Sequence, residues 1–331
     1  MNDGVLTRAV QWYGISESRL KPLPGGHYTH VYGFARDGEE YVLRVSPSGE
    51  INLDSMRAIL VWMNFLAERG ASVSRPVVSR RGNLVECVEQ GQDRYTIVAF
   101  EKARGVLAED LPADQWSDRL YHNLGRAVGR MHALAKEYVP ADESLRRPEW
   151  DRAGNCFNPS ERLDASQAVA AEKKEEVWRY VHTLPKDRDS YGLVHTDLHG
   201  GNFFVDAGSG IITVFDFDDC AYGWYVMDIA MNLFDAVVLY AGFDEAKFAT
   251  RFLKSYLRGY LAENRLSAFW VNQLPYFLKL LEIGVYTQVY EYYNPNDPDP
   301  WVGKFMPGRR RRIENDVPYV SVDFEDVLNG E

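Results

Sequence analysis

Val194-His195-Thr196-Asp197-Leu198-His199-Gly200-Gly201-Asn202, followed by Val214-Phe215-Asp216-Phe217-Asp218-Asp219, is the part of this 331-residue chain that decides its reading. It places an Asp and an Asn on one loop and a second Asp at the end of the next apolar, β-like run. Hard oxygen donors in so small a number suit Mg²⁺, which takes one or two carboxylates and completes its shell with phosphate oxygens and water. Gly200 and Gly201 let the loop turn sharply. A carboxylate beside such a site can accept a hydroxyl proton.

Working outward, the first hundred residues read mainly as strands with one helix. His30–Ala35 and Tyr41–Val45 flank the turn Arg36-Asp37-Gly38, which predicts a β-hairpin. Asp54–Arg69 repeats apolar residues at three and four positions, with Asp54 or Ser55 to start the helix and Gly70 to end it. Asn83–Val88 and Tyr95–Phe100 predict two more strands. After Phe100 the pattern turns helical, over Trp116–Ala135, Ala165–Thr183, Met227–Tyr240, Glu245–Glu263 and Ser267–Tyr292. Leu193–Val205 and Ile211–Phe217 read as short strands around a loop. Lys102–Pro112 reads as a connector, and residues 140–165 as irregular.

The HxDxxxxN pattern and the Asp that follows it resemble the catalytic and metal-binding loops of the aminoglycoside phosphotransferase and choline kinase families. These are similar in fold to protein kinases. The resemblance implies an α+β, protein-kinase-like fold of two lobes. Residues 1–100 would form a small antiparallel-sheet, nucleotide-binding N-lobe, and 101–105 a hinge. Residues 106–331 would form a larger, mainly helical C-lobe carrying the catalytic loop and acceptor site. It also implies roles, with ATP and Mg²⁺ as cofactors. Asp197 would be the catalytic base, and His199 would touch the transferred phosphoryl group. Asn202 and Asp216 would hold the metal, while His195 and Asp228 would brace the loop. Leu23–Tyr32 is similar to the glycine-containing phosphate loop, with Gly25 and Gly26 facing phosphate oxygens. Arg44 stands where such kinases present a Lys, and Ile59 where they present its acidic partner; Glu50 or Asp54 would substitute for that acid. Phe100, Glu101 and Ala103 resemble the hinge that pairs with adenine. The segment 305–316 resembles one branch of the bacterial phosphotransferase enzyme family.

The composition sets bounds on partners. Net charge is −11, and because the first hundred residues balance, the whole excess lies after residue 100. That disfavours nucleic-acid binding. The most apolar late stretch, Val226–Gly242, contains Asp228 and Asp235, which argues against a membrane span. Three scattered cysteines, Cys87, Cys156 and Cys220, offer neither a disulfide framework nor a zinc site and point to a reducing, cytoplasmic setting. The remaining histidines, His132 among them, read as surface or structural groups. Arg309–Arg312 reads as a solvated face or a set of salt bridges, and the late aromatics Tyr286, Tyr290, Tyr292, Tyr293 and Trp301 as core. The expected function is ATP-dependent transfer of a γ-phosphate to a hydroxyl of a small molecule, aminoglycoside-, amino alcohol- or sugar-like. A protein Ser/Thr kinase and a non-catalytic nucleotide-binding protein stand as alternatives.

Overall fold

The computed structural model describes residues 3–16, 19–24, 29–47, 53–152, 154–158, 163–242, 244–296 and 299–329. Two of the expected phosphate-loop residues, Gly25 and Gly26, and the candidate acid Glu50 lie outside the described residues. The chain forms two compact units, residues 1–104 with 138–147, and residues 105–137 with 148–331.

In the first unit the elements run α1 (Asp3–Tyr13), β1 (Lys21–Leu23), β2 (His30–Arg36), β3 (Glu39–Pro47), α2 (Leu53–Glu68), β4 (Pro76–Val77), β5 (Glu86–Gln90) and β6 (Asp93–Glu101). The strands form one antiparallel sheet ordered β1-β2-β3-β6-β4, with β5 also paired to β6. The β2–β3 hairpin turns at Asp37-Gly38, both with positive φ, the conformation that Asp and Gly tolerate best. Helix α1 was not anticipated. Val5, Ala9 and Tyr13, spaced at four, lie on one face of it and pack on Phe34, Leu43, Val45, Val88, Ile97 and Ala99. Helix α2 ends near Gly70, where φ is +82°. Tyr138 closes over α2, its ring 4.7 Å from that of Trp62 and 5.0 Å from that of Phe65.

In the second unit the order is β7 (Val106–Leu107), α3 (Asp118–Ala135), α4 (Ala168–Val181), β8 (Tyr191–Val194), β9 (Phe203–Val205), β10 (Ile212–Val214), β11 (Ala221–Trp224), α5 (Val226–Tyr240), α6 (Glu245–Leu261), α7 (Ala268–Val271), α8 (Leu274–Tyr290), α9 (Pro300–Phe305), α10 (Arg309–Glu314) and α11 (Phe324–Asn329). Two expectations are corrected here. The run Leu193–Val205 is two strands in different sheets, with β8 paired to β11 and β9 to β10 and β7, because the loop 195–202 leaves the first sheet before β9 begins. The helix expected over Ser267–Tyr292 is broken at Asn272-Gln273, since Pro275 belongs in a first helical turn and starts α8. The connector expected at 102–112 holds β7 and a 3₁₀ turn at Ala108–Asp110.

Helices α3 and α6 approach unusually closely. A Cβ on Gly125 would lie 2.0 Å from the carbonyl oxygen of Tyr256, and one on Gly259 would lie 1.9 Å from that of His122. Only glycine permits that approach. It sets Tyr256 and Tyr260 of α6 directly against α3.

Candidate active site

The loop between β8 and β9 is held from below by one face of α5. Asp228, Asn232 and Asp235 recur at four and three positions, so they project from the same side of the helix. Asp228 Oδ2 accepts the backbone N–H of His195 at 2.9 Å, and its Oδ1 accepts that of Thr196 at 2.8 Å. Asn232 Nδ2 donates to Leu198 O, and its Oδ1 accepts the Tyr256 hydroxyl at 2.8 Å. Asp235 Oδ2 accepts Gly200 N–H at 3.0 Å, while its Oδ1 accepts the indole N–H of Trp301 at 3.0 Å. The loop backbone is thus pinned at 195, 196, 198 and 200. Asn232 and Asp235 were missed in the sequence. Their signal was polar residues at helical spacing inside an otherwise apolar helix.

Burial works against a charge on Asp228, but hydrogen bonds and the proximity of His132 and His195 outweigh it and hold its pKa below the usual carboxylate value. His195 Nδ1 accepts Asp197 N–H at 3.4 Å, so its proton sits on Nε2, which donates to Phe215 O at 3.0 Å. Both residues expected to brace the loop therefore touch its backbone.

Asn202 ties the loop to the next strand. Its Nδ2 donates to Asp197 O at 2.7 Å and to Asp197 Oδ2 at 3.1 Å. Its own carbonyl accepts Phe215 N–H at 3.0 Å, extending the β9–β10 ladder by one bond and setting Asp216 beside it in sequence. Asp216 is exposed and has φ +60°; Thr196, just before Asp197, has φ +66°. Left-handed backbone at a β-branched residue is strained and clusters at functional sites. The Cys156 thiol lies 4.0 Å from Asp197 Oδ1. Burial, then the charges of Asp197 and Asp219, push its pKa well up, so it stays a neutral thiol.

His199 Nδ1 accepts Gly201 N–H at 3.0 Å, and its Nε2 lies 3.6 Å from Asp197 Oδ2. Burial opposes its charged form, but the adjacent Asp197 carboxylate and the charges of Asp235 and Glu109 outweigh that and push its pKa up to about 9. Full protonation would cost the Gly201 bond.

The donor chemistry fits a hard divalent cation. Asn202 turns its amide nitrogen to Asp197, so its Oδ1 is the atom that could face a cation, and Asp216 could add a carboxylate. Among the described residues, no three His, Cys, Asp or Glu side chains converge as a metal site on their own. A two-residue set of this kind suits an ion whose shell is finished by phosphate and water.

The other expected contacts lie in the first unit. Arg44 sits on β3 opposite Val31 and Val98, and its guanidinium reaches α2, 3.7 Å from Met56 Sδ. Ile59 is buried in α2, and Asp54 pairs with Arg57 at 3.2 Å. Phe100 and Glu101 end β6, and Glu101 N–H donates to Arg75 O at 2.8 Å. Ala103 follows Lys102, whose N–H donates to Glu40 O at 3.0 Å. The basic run is a set of ion pairs. Arg309 bonds buried Glu282 at 2.8 Å and Arg310 bonds Glu314 at 2.7 Å.

Residues 19–269 match the Phosphotransferase enzyme family. The chain belongs to that family. It is 32% identical to the amicoumacin kinase of Bacillus subtilis (strain 168), over 98% of this chain and 95% of that protein. An amicoumacin kinase solved with AMP-PNP, Ca²⁺ and Ami superposes with TM-score 0.88 at 28% identity, covering 98% of this chain and 97% of that one. A microcompartment-associated aminopropanol kinase superposes with TM-score 0.74 at 21% identity, over 95% and 98% of the two chains. The fold of this family member is therefore the α+β, kinase-like fold of the aminoglycoside phosphotransferases, with a small antiparallel sheet in its N-terminal part and a helical C-terminal part.

Proposed function

We propose that this protein transfers the γ-phosphoryl group of ATP to a hydroxyl of a small amino compound of the amicoumacin type. Asp197 receives the hydroxyl proton, and Asn202 and Asp216 are the protein ligands of Mg²⁺. The reaction class follows from family membership and near full-length kinship: the protein is an ATP-dependent small-molecule phosphotransferase. The finer roles rest on one observation. A single residue, Asn202, hydrogen-bonds the proposed base through its side-chain nitrogen and Phe215, the residue before Asp216, through its backbone carbonyl.

In the reaction the acceptor oxygen bonds to the γ-phosphorus, the bond to the β–γ bridging oxygen breaks, and ADP leaves. The hydroxyl proton passes to the Asp197 carboxylate. The Asn202 amide and the Cys156 thiol each take one Asp197 oxygen, so the carboxylate is oriented before an acceptor arrives. Such positioning and fixed charge supply most of the acceleration in phosphoryl transfer. A divalent ion, when bound, neutralises charge on the transferring phosphates. His199 is assigned to the phosphoryl group. Gly25, Gly26, Arg44, Phe100, Glu101 and Ala103 are assigned to the nucleotide. Arg44 serves as a permanently charged stand-in for the usual Lys. Cytoplasmic action on a dissolved acceptor, without nucleic-acid or membrane partner, belongs to the same proposal; among the described residues no helix is long and apolar enough to cross a membrane.

The test is ADP release from ATP and Mg²⁺ over a panel of hydroxyl compounds containing amicoumacin, short amino alcohols, homoserine, aminoglycosides and sugars. Acceptor-dependent ADP formation with amicoumacin or another amino hydroxyl compound is expected. ADP formation only in the presence of protein acceptors, or none with any acceptor, overturns the proposal.

A further inference from the structure

His132, on α3, is buried and makes two side-chain hydrogen bonds that link distant segments. Its Nε2 lies 2.9 Å from Asp228 Oδ2, and its Nδ1 lies 2.9 Å from the Tyr260 hydroxyl. The ring stacks on Tyr225 with centroids 4.7 Å apart. Asn264 Nδ2 donates to the same Tyr260 oxygen at 2.9 Å. An ionised carboxylate only accepts, so Nε2 must carry a proton. The Asn264 N–H occupies the phenol oxygen, which leaves the phenol hydrogen to donate to Nδ1. The arrangement that satisfies every group is a neutral imidazole protonated at Nε2. A directed chain results, from Asn264 through Tyr260 and His132 to Asp228, and it ends on the backbone N–H groups of His195 and Thr196.

The chain ends at the strained residue. Thr196 holds φ +66° immediately before Asp197, a conformation that costs on the order of 1–3 kcal/mol and persists only where the surroundings over-determine it. Asp228 supplies one restraint, and Thr196 Oγ1 supplies another by donating to Asp219 O at 2.8 Å. Asp228 can hold both backbone N–H groups only if its carboxylate plane is fixed, and His132 is the side chain that fixes it from the opposite side.

We propose that His132 is a positioning residue for phosphoryl transfer. Buttressed by Tyr260, it locks the Asp228 carboxylate, keeps Thr196 left-handed and thereby aims Asp197. The inference rests on Asp197 being the base.

Three variants test it: His132→Leu, His132→Gln and Tyr260→Phe, assayed with ATP, Mg²⁺ and amicoumacin beside an Asp197→Ala control. His132→Leu is expected to lower kcat by about tenfold or more while leaving KM for ATP and for acceptor nearly unchanged. His132→Gln, whose amide N–H can reach Asp228 in place of Nε2, is expected to recover most of that loss. Tyr260→Phe removes only the buttressing hydroxyl and is expected to lower kcat by about threefold. In ¹⁵N-histidine-labelled protein, His132 should show a protonated Nε2 and an unprotonated, hydrogen-bonded Nδ1, and Asp228→Asn should abolish that signature. A His132→Leu enzyme that melts earlier but keeps its kcat makes His132 a packing residue and overturns the proposal. So does the Nδ1-protonated tautomer. Should His132→Leu fail to fold, an unchanged kcat in Tyr260→Phe overturns it equally. A fully active Asp197→Ala would overturn the base assignment and with it the aiming role of His132, while a loss of kcat in Asp197→Ala with kcat unchanged in His132→Leu would overturn the positioning role alone.

Discussion

Replacing Asp228 by Asn removes a charge and turns one acceptor oxygen into a donor with almost no change of volume. In the wild type, Oδ1 takes Thr196 N–H, and Oδ2 takes both His195 N–H and His132 Nε2–H. With its oxygen in the Oδ2 place, Asn keeps His195 and His132 but turns its NH₂ group toward the Thr196 N–H; the reverse rotation faces that group with two donors, so no rotation of the amide satisfies all three. One hydrogen bond to a charged acceptor is lost, worth about 1.5–3 kcal/mol, and the two that remain become neutral bonds, each weaker by about 1 kcal/mol. The Asp228 side chain is fully buried, so water cannot replace the lost bond. The expected destabilisation is about 3–5 kcal/mol, in the range for breaking a buried pair by removing one partner. Urea unfolding reads it directly as a lower midpoint with an unchanged slope. The pH dependence adds a second signature. The folded pKa of Asp228 lies below the ordinary carboxylate value of the unfolded chain, so this stabilisation is fully present above that value and is lost as pH falls through the folded pKa. The acid limb of the stability curve should therefore be flatter in Asp228→Asn than in the wild type. A variant within about 0.5 kcal/mol of wild type, with the same acid limb, would refute the claim that this carboxylate carries the loop.

Three further outcomes are expected. Gly125→Ala should destabilise by about 3 kcal/mol or more, because the new Cβ meets backbone, the Tyr256 carbonyl oxygen, and α3 and α6 must part; thermal melting checks it. Glu282→Leu should cost about 3–5 kcal/mol in denaturant unfolding, since it strands Lys279 and Arg309, which now bond its two oxygens at 2.6 and 2.8 Å. Arg44→Ala should raise KM for ATP by about tenfold with a smaller effect on KM for the acceptor, as measured by steady-state kinetics.

The parts of this chain legible in its sequence are those set by local chemistry. The β2–β3 hairpin was readable because Asp37-Gly38 can take positive φ, and α2 because its apolar residues recur with helical period. The loop 195–202 was readable because Asp, Gly and Asn there follow a recurrent pattern. What escaped depends on partners far apart in the chain. The pairing of β7 with β9 joins residues about a hundred positions apart, and nothing local to Val106-Leu107 announces it. His132 looked like an ordinary helical histidine because its partners, Asp228 and Tyr260, stand 96 and 128 residues away. Helix α1 and the α5 face Asp228–Asn232–Asp235 are a different case. Their periodicity is present in the sequence, at Val5, Ala9 and Tyr13 and at the three polar positions. The break between α7 and α8 was likewise marked by Pro275.

The measurement that bears most directly on the mechanism is phosphoryl transfer by Asp197→Ala, with ATP binding followed in parallel by calorimetry. Loss of acceptor-dependent ADP formation with nucleotide affinity retained is the expected result. Undiminished transfer to the same acceptor hydroxyl would contradict the assignment of Asp197 as the group that takes the proton.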